Sequence, residues 1–328
     1  MKVLKVLGII VLIIVALVFI IPLFMADTTS VSADISIKAS PATVFHQVSK
    51  LKNWENWSPF ESDSTIVNTY EGTERGTGAI RSWDGEKIGS GSMAIIESVP
   101  YNKIVNKLEF GDGSEGKGSW SFDPRGDSVD VIWSITISNL SYPMGKLIGP
   151  IMKTMLEPML KKGLASLREI SEKEGYIPDI QVVELPRIVT LAIYDSTKIS
   201  GIGSLLETNY SKLMNYIKER GYQITGAPLA VYHNWDPSGY IKISAAIPLT
   251  NNVKGRKEIQ KFEINAGKAV FVEHFGGYDT GKAHEAIDEY IKDFNLRTKD
   301  FIWETYITDP STEPDSSKWQ TNIYYPLK

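Results

Sequence analysis

Phe301-Ile-Trp-Glu-Thr-Tyr-Ile-Thr-Asp-Pro310 reads as a β-strand closed by an Asp-Pro turn, and Leu229-Ala-Val-Tyr-His-Asn-Trp-Asp-Pro237 reads the same way earlier in the chain. Both are rich in aromatic and β-branched residues and end on a residue pair that initiates turns. The surroundings repeat as well. The first copy runs from a strand at Pro186–Tyr194 through an amphipathic helix at Leu205–Arg220, stopped by Gly221, to strands at Leu229–Pro237 and Ile241–Leu249. The second runs from Gly267–Phe275 through a helix at Lys282–Phe294 to Phe301–Pro310 and Trp319–Leu327. Asp236-Pro237 answers Asp309-Pro310, and Ile247-Pro-Leu249 answers Tyr325-Pro-Leu327. Residues 178–328 are therefore expected to form a duplicated strand-helix-strand-strand domain with a pseudo-twofold axis and a cleft between its halves.

Upstream, Glu172-Lys-Glu-Gly-Tyr-Ile-Pro178 ends a helical pattern and places a break near Gly175–Pro178. Residues 30–175 begin with the alternating strand Val31–Lys38, after which Ser40-Pro41 suits the N-cap and first position of a short helix. Leu51-Lys-Asn-Trp-Glu-Asn-Trp-Ser-Pro-Phe60 follows. Short β-prone runs then recur between Gly, Asp and Asn turns around 65–70, 78–83, 89–98, 103–110, 117–123 and 129–137, an antiparallel meander. A long helix from about Met144 to Glu174, with Pro158 expected to kink it, closes the module. From Val6 to Ala26 there is no charged residue. That is about the ~20 residues a helix needs to cross a bilayer, and it exceeds the ~7–15 of a cleavable signal's apolar region. Residues 1–27 are read as a single transmembrane anchor. Lys2 and Lys5 before the run, with Asp27 and Asp34 after it, place the rest on the periplasmic or extracellular side.

The strand, short helix, long sheet and closing helix of 30–175, together with Leu51–Phe60, resemble the START-like polyketide cyclase/dehydrase and lipid-transport superfamily (SRPBCC). The resemblance implies a helix-grip fold with an apolar cavity between sheet and helix. Met144, Met152, Met155 and Met159 on the closing helix are then candidate wall residues, since thioether chains adapt to irregular guests. No catalytic residue of that superfamily can be carried over.

Residues 178–328 resemble the GyrI-like small-molecule-binding domain, which also serves as the effector-binding part of AraC-type regulators. The resemblance implies an aromatic-lined pocket around a carboxylate in a Glu-x-Tyr pattern, and Glu304-Thr305-Tyr306 fits it. Period-two geometry agrees: Ile302, Glu304 and Tyr306 share one strand face, and Trp303 and Thr305 the other. Taken as equivalent in the first copy are Val231 and His233, so the carboxylate belongs to one half only. Tyr194, Tyr232, His274, Tyr278, Trp319 and Tyr324 are candidate walls, and a cation is one available partner for the acid, which is costly to desolvate unless it pairs.

Composition closes off other chemistry. The chain has no cysteine, so thiolate metal sites and Cys nucleophiles are excluded, and its four histidines include no pair spaced to hold a metal on one helix. A net charge of -4 offers no general attraction to nucleic acid. Gly111-Asp-Gly-Ser-Glu-Gly-Lys-Gly118 imitates a phosphate loop, but it carries two carboxylates and leads into a strand, so a turn is expected and no cofactor is implied. The leading function is non-enzymatic: a membrane-held binder that senses, sequesters or transfers small apolar or cationic aromatic molecules. The alternative is a hydrolase with Glu304 as general base and Tyr306 positioning water or a leaving group. A purely structural role with degenerate pockets is the third class.

Overall fold

Helix α1 (Lys2–Ile20) continues into a 3-10 turn at Ile21–Phe24 and from Val6 to Ile20 leaves its apolar side chains outside any core. The stretch Val6–Phe24 has a mean hydropathy of 3.4 and is long and apolar enough to cross a membrane. The structure is a computed structural model that describes residues 2–174, 180–236, 238–250 and 252–328. It divides into two units, Met1–Tyr176 and Ile177–Lys328. The expected break at 175–178 and the turn residue Pro237 lie outside the described residues.

In the first unit β1 (Thr29–Ile37) precedes α2 (Pro41–Ser49), whose N-cap Ser40 accepts from the Thr43 amide. Strands β2 (Val67–Gly72), β3 (Ala79–Asp84), β4 (Gly91–Val99), β5 (Lys103–Phe110), β6 (Glu115–Arg125) and β7 (Ser128–Ser138) complete an antiparallel sheet of order β1-β7-β6-β5-β4-β3-β2. Helix α3 (Met144–Glu174) runs on through Pro150 and Pro158. The glycine-rich stretch is the β5–β6 hairpin turn, with the Phe110 amide donating to the Ser114 carbonyl and Gly113 at φ 83. Alternation on β6 and β7 sends Trp120, Phe122, Val131, Trp133 and Ile135 to the buried side, where Leu160, Leu164 and Leu167 of α3 meet them.

The second unit holds β8 (Gln181–Leu185), β9 (Ile188–Thr197), α4 (Ile202–Arg220), β10 (Leu229–Tyr232), β11 (Ile241–Pro248), β12 (Ile259–Ile264), β13 (Gly267–Phe275), α5 (Gly281–Asp293), β14 (Ile302–Tyr306) and β15 (Gln320–Pro326). Gly221, at φ 64, ends α4 in the left-handed conformation that a residue without Cβ adopts freely. The sheet order is β12-β9-β11-β10-β14-β15-β13-β8. The repeat is larger than the sequence suggests, because each copy is preceded by a further strand. These strands cross over: β8, which leads the first copy, pairs with β13 of the second, and β12, which leads the second, pairs with β9 of the first. Neither has the length or alternation that would mark it in the sequence.

The two copies match in backbone detail. Leu249 donates to Val189 and bridges Ile224, while Leu327 donates to Lys268 and bridges Thr298. Setting Thr298 in the place of Ile224 and keeping that spacing along the next strand puts Glu304 opposite Ala230 and Tyr306 opposite Tyr232. The Asp-Pro landmarks had implied Val231 and His233, one residue off. Val231 packs with Trp303 on the far face of the sheet, whereas Ala230 and Tyr232 belong to the helix-covered core. Glu304 is also the direct cross-strand partner of Ala230, so the pseudo-twofold axis passes between them.

Candidate functional site

A cleft of ≈ 1430 Å³ opens over the middle of the second sheet, with Tyr232 of β10, Ile302, Glu304 and Tyr306 of β14, and residues of α4 and α5 among its walls. Its size exceeds the ~300–1,000 Å³ typical of pockets for drug-sized guests. Its floor is charged. Glu304 is 4% exposed and its carboxylate accepts four hydrogen bonds. Tyr232 and Tyr306, the two symmetry-related phenols, donate to Oε2 at 3.1 and 3.0 Å. Thr280 donates to Oε1 at 2.7 Å, and His284 Nε2 lies 3.0 Å from the same oxygen. His284 Nδ1 is in turn 2.9 Å from the Tyr325 hydroxyl.

Burial raises the pKa of the Glu304 carboxyl, but its interactions with His284, Thr280 and Tyr306 outweigh it, and the net direction is down. The acid is held as a carboxylate. Burial and the neighbouring Glu304 push the Tyr232 and Tyr306 phenols well up, so both remain protonated donors. A carboxylate has about four lone-pair positions, and here all are engaged.

The helices supply unlike walls at matching places. Leu206, Tyr210 and Met214 come from α4 at one-turn spacing, and Thr280, His284 and Asp288 from the start and body of α5. One wall is apolar and aromatic, the other polar. Tyr210 brings a buried hydroxyl with no hydrogen-bond partner among the described residues, and burial pushes its pKa up. Burial also raises the Asp288 carboxyl, against the pull of His284 and Lys292.

Of the residues singled out in the sequence, Glu304, Tyr306, Tyr232 and Tyr278 line the cleft. Tyr278 stands edge-on to Tyr306 at 5.5 Å and 5.1 Å from Trp319, which backs it while its indole donates to the Glu313 carbonyl. Tyr194, His274 and Tyr324 do not line the cleft. Tyr194 shares the far face of β9 with Ala192 and lies 5.2 Å from His233, while Tyr324 stacks on Trp303 at 4.9 Å. His274 sits at the end of β13, hydrogen-bonded to the Gly277 carbonyl. Sequence reasoning missed Thr280, His284, Tyr325, Tyr210, Asp288 and Trp235. The one-turn spacing of polar residues on α5, set against apolar ones at the same repeat positions of α4, was the available signal.

The first unit corrects the methionine expectation. The sheet-facing stripe of α3 is Leu156, Leu160, Leu164 and Leu167, and Met152 packs against the same core; Met159 is half-buried, while Met144 and Met155 fall on the opposite side and are exposed. Tryptophans occupy the interior beneath α3. Trp120 and Trp133 stack at 4.5 Å, and Trp54 and Trp57 meet both edge-on between 5.7 and 6.0 Å. Gly163 admits them, because a Cβ there would lie 2.7 Å from Pro59 Cδ and 2.9 Å from Trp133.

Comparison with known families divides the chain the same way. Residues 28–172 match the polyketide cyclase / dehydrase and lipid transport family, and residues 178–328 match the GyrI-like small molecule binding domain. Among solved structures the chain is similar to the EcmrR C-terminal domain, at 20% identity over 46% of this chain and 98% of that one, with a TM-score of 0.40. It is also similar to SAV2435 bound to tetraphenylphosphonium (16% identity, 46% and 94% covered, TM-score 0.35). A hydrolase from Listeria innocua gives 12% identity, 49% and 98% covered, and a TM-score of 0.35. No curated protein matches the sequence.

Proposed function

From a chain that joins a polyketide-cyclase and lipid-transport domain to a GyrI-like small-molecule-binding domain, we propose a membrane-anchored receptor whose second domain captures an aromatic cation. The observation that carries this reading is the Glu304 carboxylate, buried, ionised and satisfied by four donors at the floor of an aromatic cleft. With its lone pairs taken, it attracts a guest through its field rather than by accepting a hydrogen bond. The suitable guest has a delocalised or shielded charge, with Tyr278 and Trp235 offering ring faces worth about 0.5 to 2 kcal/mol each. The apolar span Val6–Phe24 supports anchorage, and the charges at Lys2, Lys5, Asp27 and Asp34 support a periplasmic or extracellular position for both domains. Sensing, sequestration and transfer are the roles such a receptor serves.

Hydrolysis with Glu304 as general base fits less well, since a base must take up a proton and this carboxyl is held below its ordinary range with its acceptor positions filled. The test is calorimetry of wild type and Glu304→Gln against tetraphenylphosphonium and neutral triphenylphosphine oxide. A unit charge about 6–8 Å away at an effective dielectric of about 20 contributes about 2 to 3 kcal/mol, so cation affinity should fall roughly thirtyfold to over a hundredfold. The neutral compound should bind both proteins alike. Equal losses for the two compounds, or none, would remove Glu304 from ligand recognition.

A further inference from the structure

Helix α3 carries an apolar stripe that its own domain does not use. Met144, Ile148, Ile151 and Met155 recur at helical spacing on the side opposite the buried leucines, and they are 55%, 42%, 57% and 65% exposed. The stripe ends abruptly. Continued at the same spacing, this face presents Lys162, Glu169 and Lys173, with Lys173 paired to Glu169 at 2.8 Å. One helix face is thus apolar over its first half and charged over its second.

The apolar half is also the half tied to the N-terminal segment. The Tyr142 hydroxyl donates to the Phe19 carbonyl at 2.5 Å, and its ring lies 6.4 Å from that of Phe19. Lys146 Nζ donates to the Met25 carbonyl at 3.2 Å, and the Leu140 amide to the Asp27 carbonyl at 3.0 Å. Phe19 lies within the apolar span, about 7 Å of helix short of its end at Phe24. A bilayer that holds this span therefore reaches Tyr142, a residue type suited to the boundary between hydrocarbon and water.

We infer that the segment from Tyr142 through the first half of α3 to Met155 lies in the interface of the bilayer that holds α1, with Met144, Ile148, Ile151 and Met155 inserted among the acyl chains. The inference rests on the anchoring reading and adds a second, lateral contact to it. An amphipathic segment of this kind gains by burying its apolar side about 5–10 Å deep while its charged continuation stays in water. It also fixes the first domain against the membrane, where a single span would leave it free to swing.

Because the chain has no cysteine, single cysteines report position cleanly. Leu12→Cys, Ile151→Cys, Met155→Cys, Glu169→Cys and Lys173→Cys, all at exposed positions, would be labelled with an environment-sensitive fluorophore. The full-length protein would be reconstituted in phosphatidylcholine–phosphatidylglycerol vesicles. Blue-shifted emission quenched by lipid-borne nitroxides is expected at 12, 151 and 155, and quenching by aqueous iodide at 169 and 173. A label at 12 in lipid with those at 151 and 155 in water would overturn the lateral contact and leave the anchor standing. A label at 12 in water would remove both. Shielding at 151 and 155 without lipid quenching would assign the stripe to a protein partner and overturn the inference as well.

Discussion

Beneath α3 four tryptophans meet one another on a glycine, whereas between α4 and α5 two tyrosines meet on a carboxylate. Both domains lay helices on one face of an antiparallel sheet, and both place their aromatic residues near the middle of it. In the first the rings fill space against each other, and the helix contributes Gly163 so that they can approach. In the second Ala230 takes the position opposite Glu304, and the phenols spend their hydroxyls on the acid while the space above stays open. The two domains thus place their aromatic bulk differently: rings pack on rings beneath α3, and rings are arranged around a carboxylate beside an open cleft in the second domain.

The strongest way to break that contrast is Trp133→Ala. Removing a fully buried indole should cost the first domain about 3 to 5 kcal/mol and leave tetraphenylphosphonium binding by the second unchanged. Scanning calorimetry with and without ligand measures both. A parallel loss of affinity would mean that the tryptophan cluster and the cleft of the second domain are not independent.

Tyr232→Phe and Tyr306→Phe sharpen the comparison from the other side. Each removes one hydrogen bond to the Glu304 carboxylate, a contact of about 1.5 to 3 kcal/mol. The two residues occupy equivalent places across the pseudo-twofold axis and donate to the same oxygen, so chemical denaturation of the two variants should give matching losses. A loss confined to one of them would show that the carboxylate is held by one half of the domain alone.

Much of the fold was legible because its signals are local. The six strands of the β2–β7 meander lie where the β-prone runs put them, and the Glu304–Tyr306 face follows from the two-residue period of a strand. What escaped depends on contacts distant in the chain. The strands β8 and β12 gain their identity only by pairing with the opposite copy. The methionines of α3 fall on both sides of the helix, Met152 against the core and Met144 and Met155 outward, and the leucines decide which side is inward. His284 and Thr280 look ordinary in sequence, because what makes them part of the site is a carboxylate on another element.

The smallest expected effect is a dependence on acid. Glu304 has its folded-state pKa held below the unfolded value, so its stabilising contribution is complete above the unfolded pKa of about 4.3 and is lost as the pH falls through the folded one. The stability advantage of wild type over Glu304→Gln should therefore narrow as the pH falls below about 5. Denaturation curves of the second domain's transition at several pH values test this, and a gap that widens with acid would reverse the assigned direction.

The crossed leading strands carry an evolutionary consequence. A single half of the second domain would expose the edge of its first strand and have to borrow the leading strand of another chain, so a half-length ancestor would be an exchanged dimer. In such a dimer the residue at position 304 would face its own copy across the axis, and two glutamates directly opposed would repel. Joining the halves in one polypeptide removes that symmetry requirement. Alanine could then stand on one side and glutamate on the other, which gives a symmetric body a single buried carboxylate.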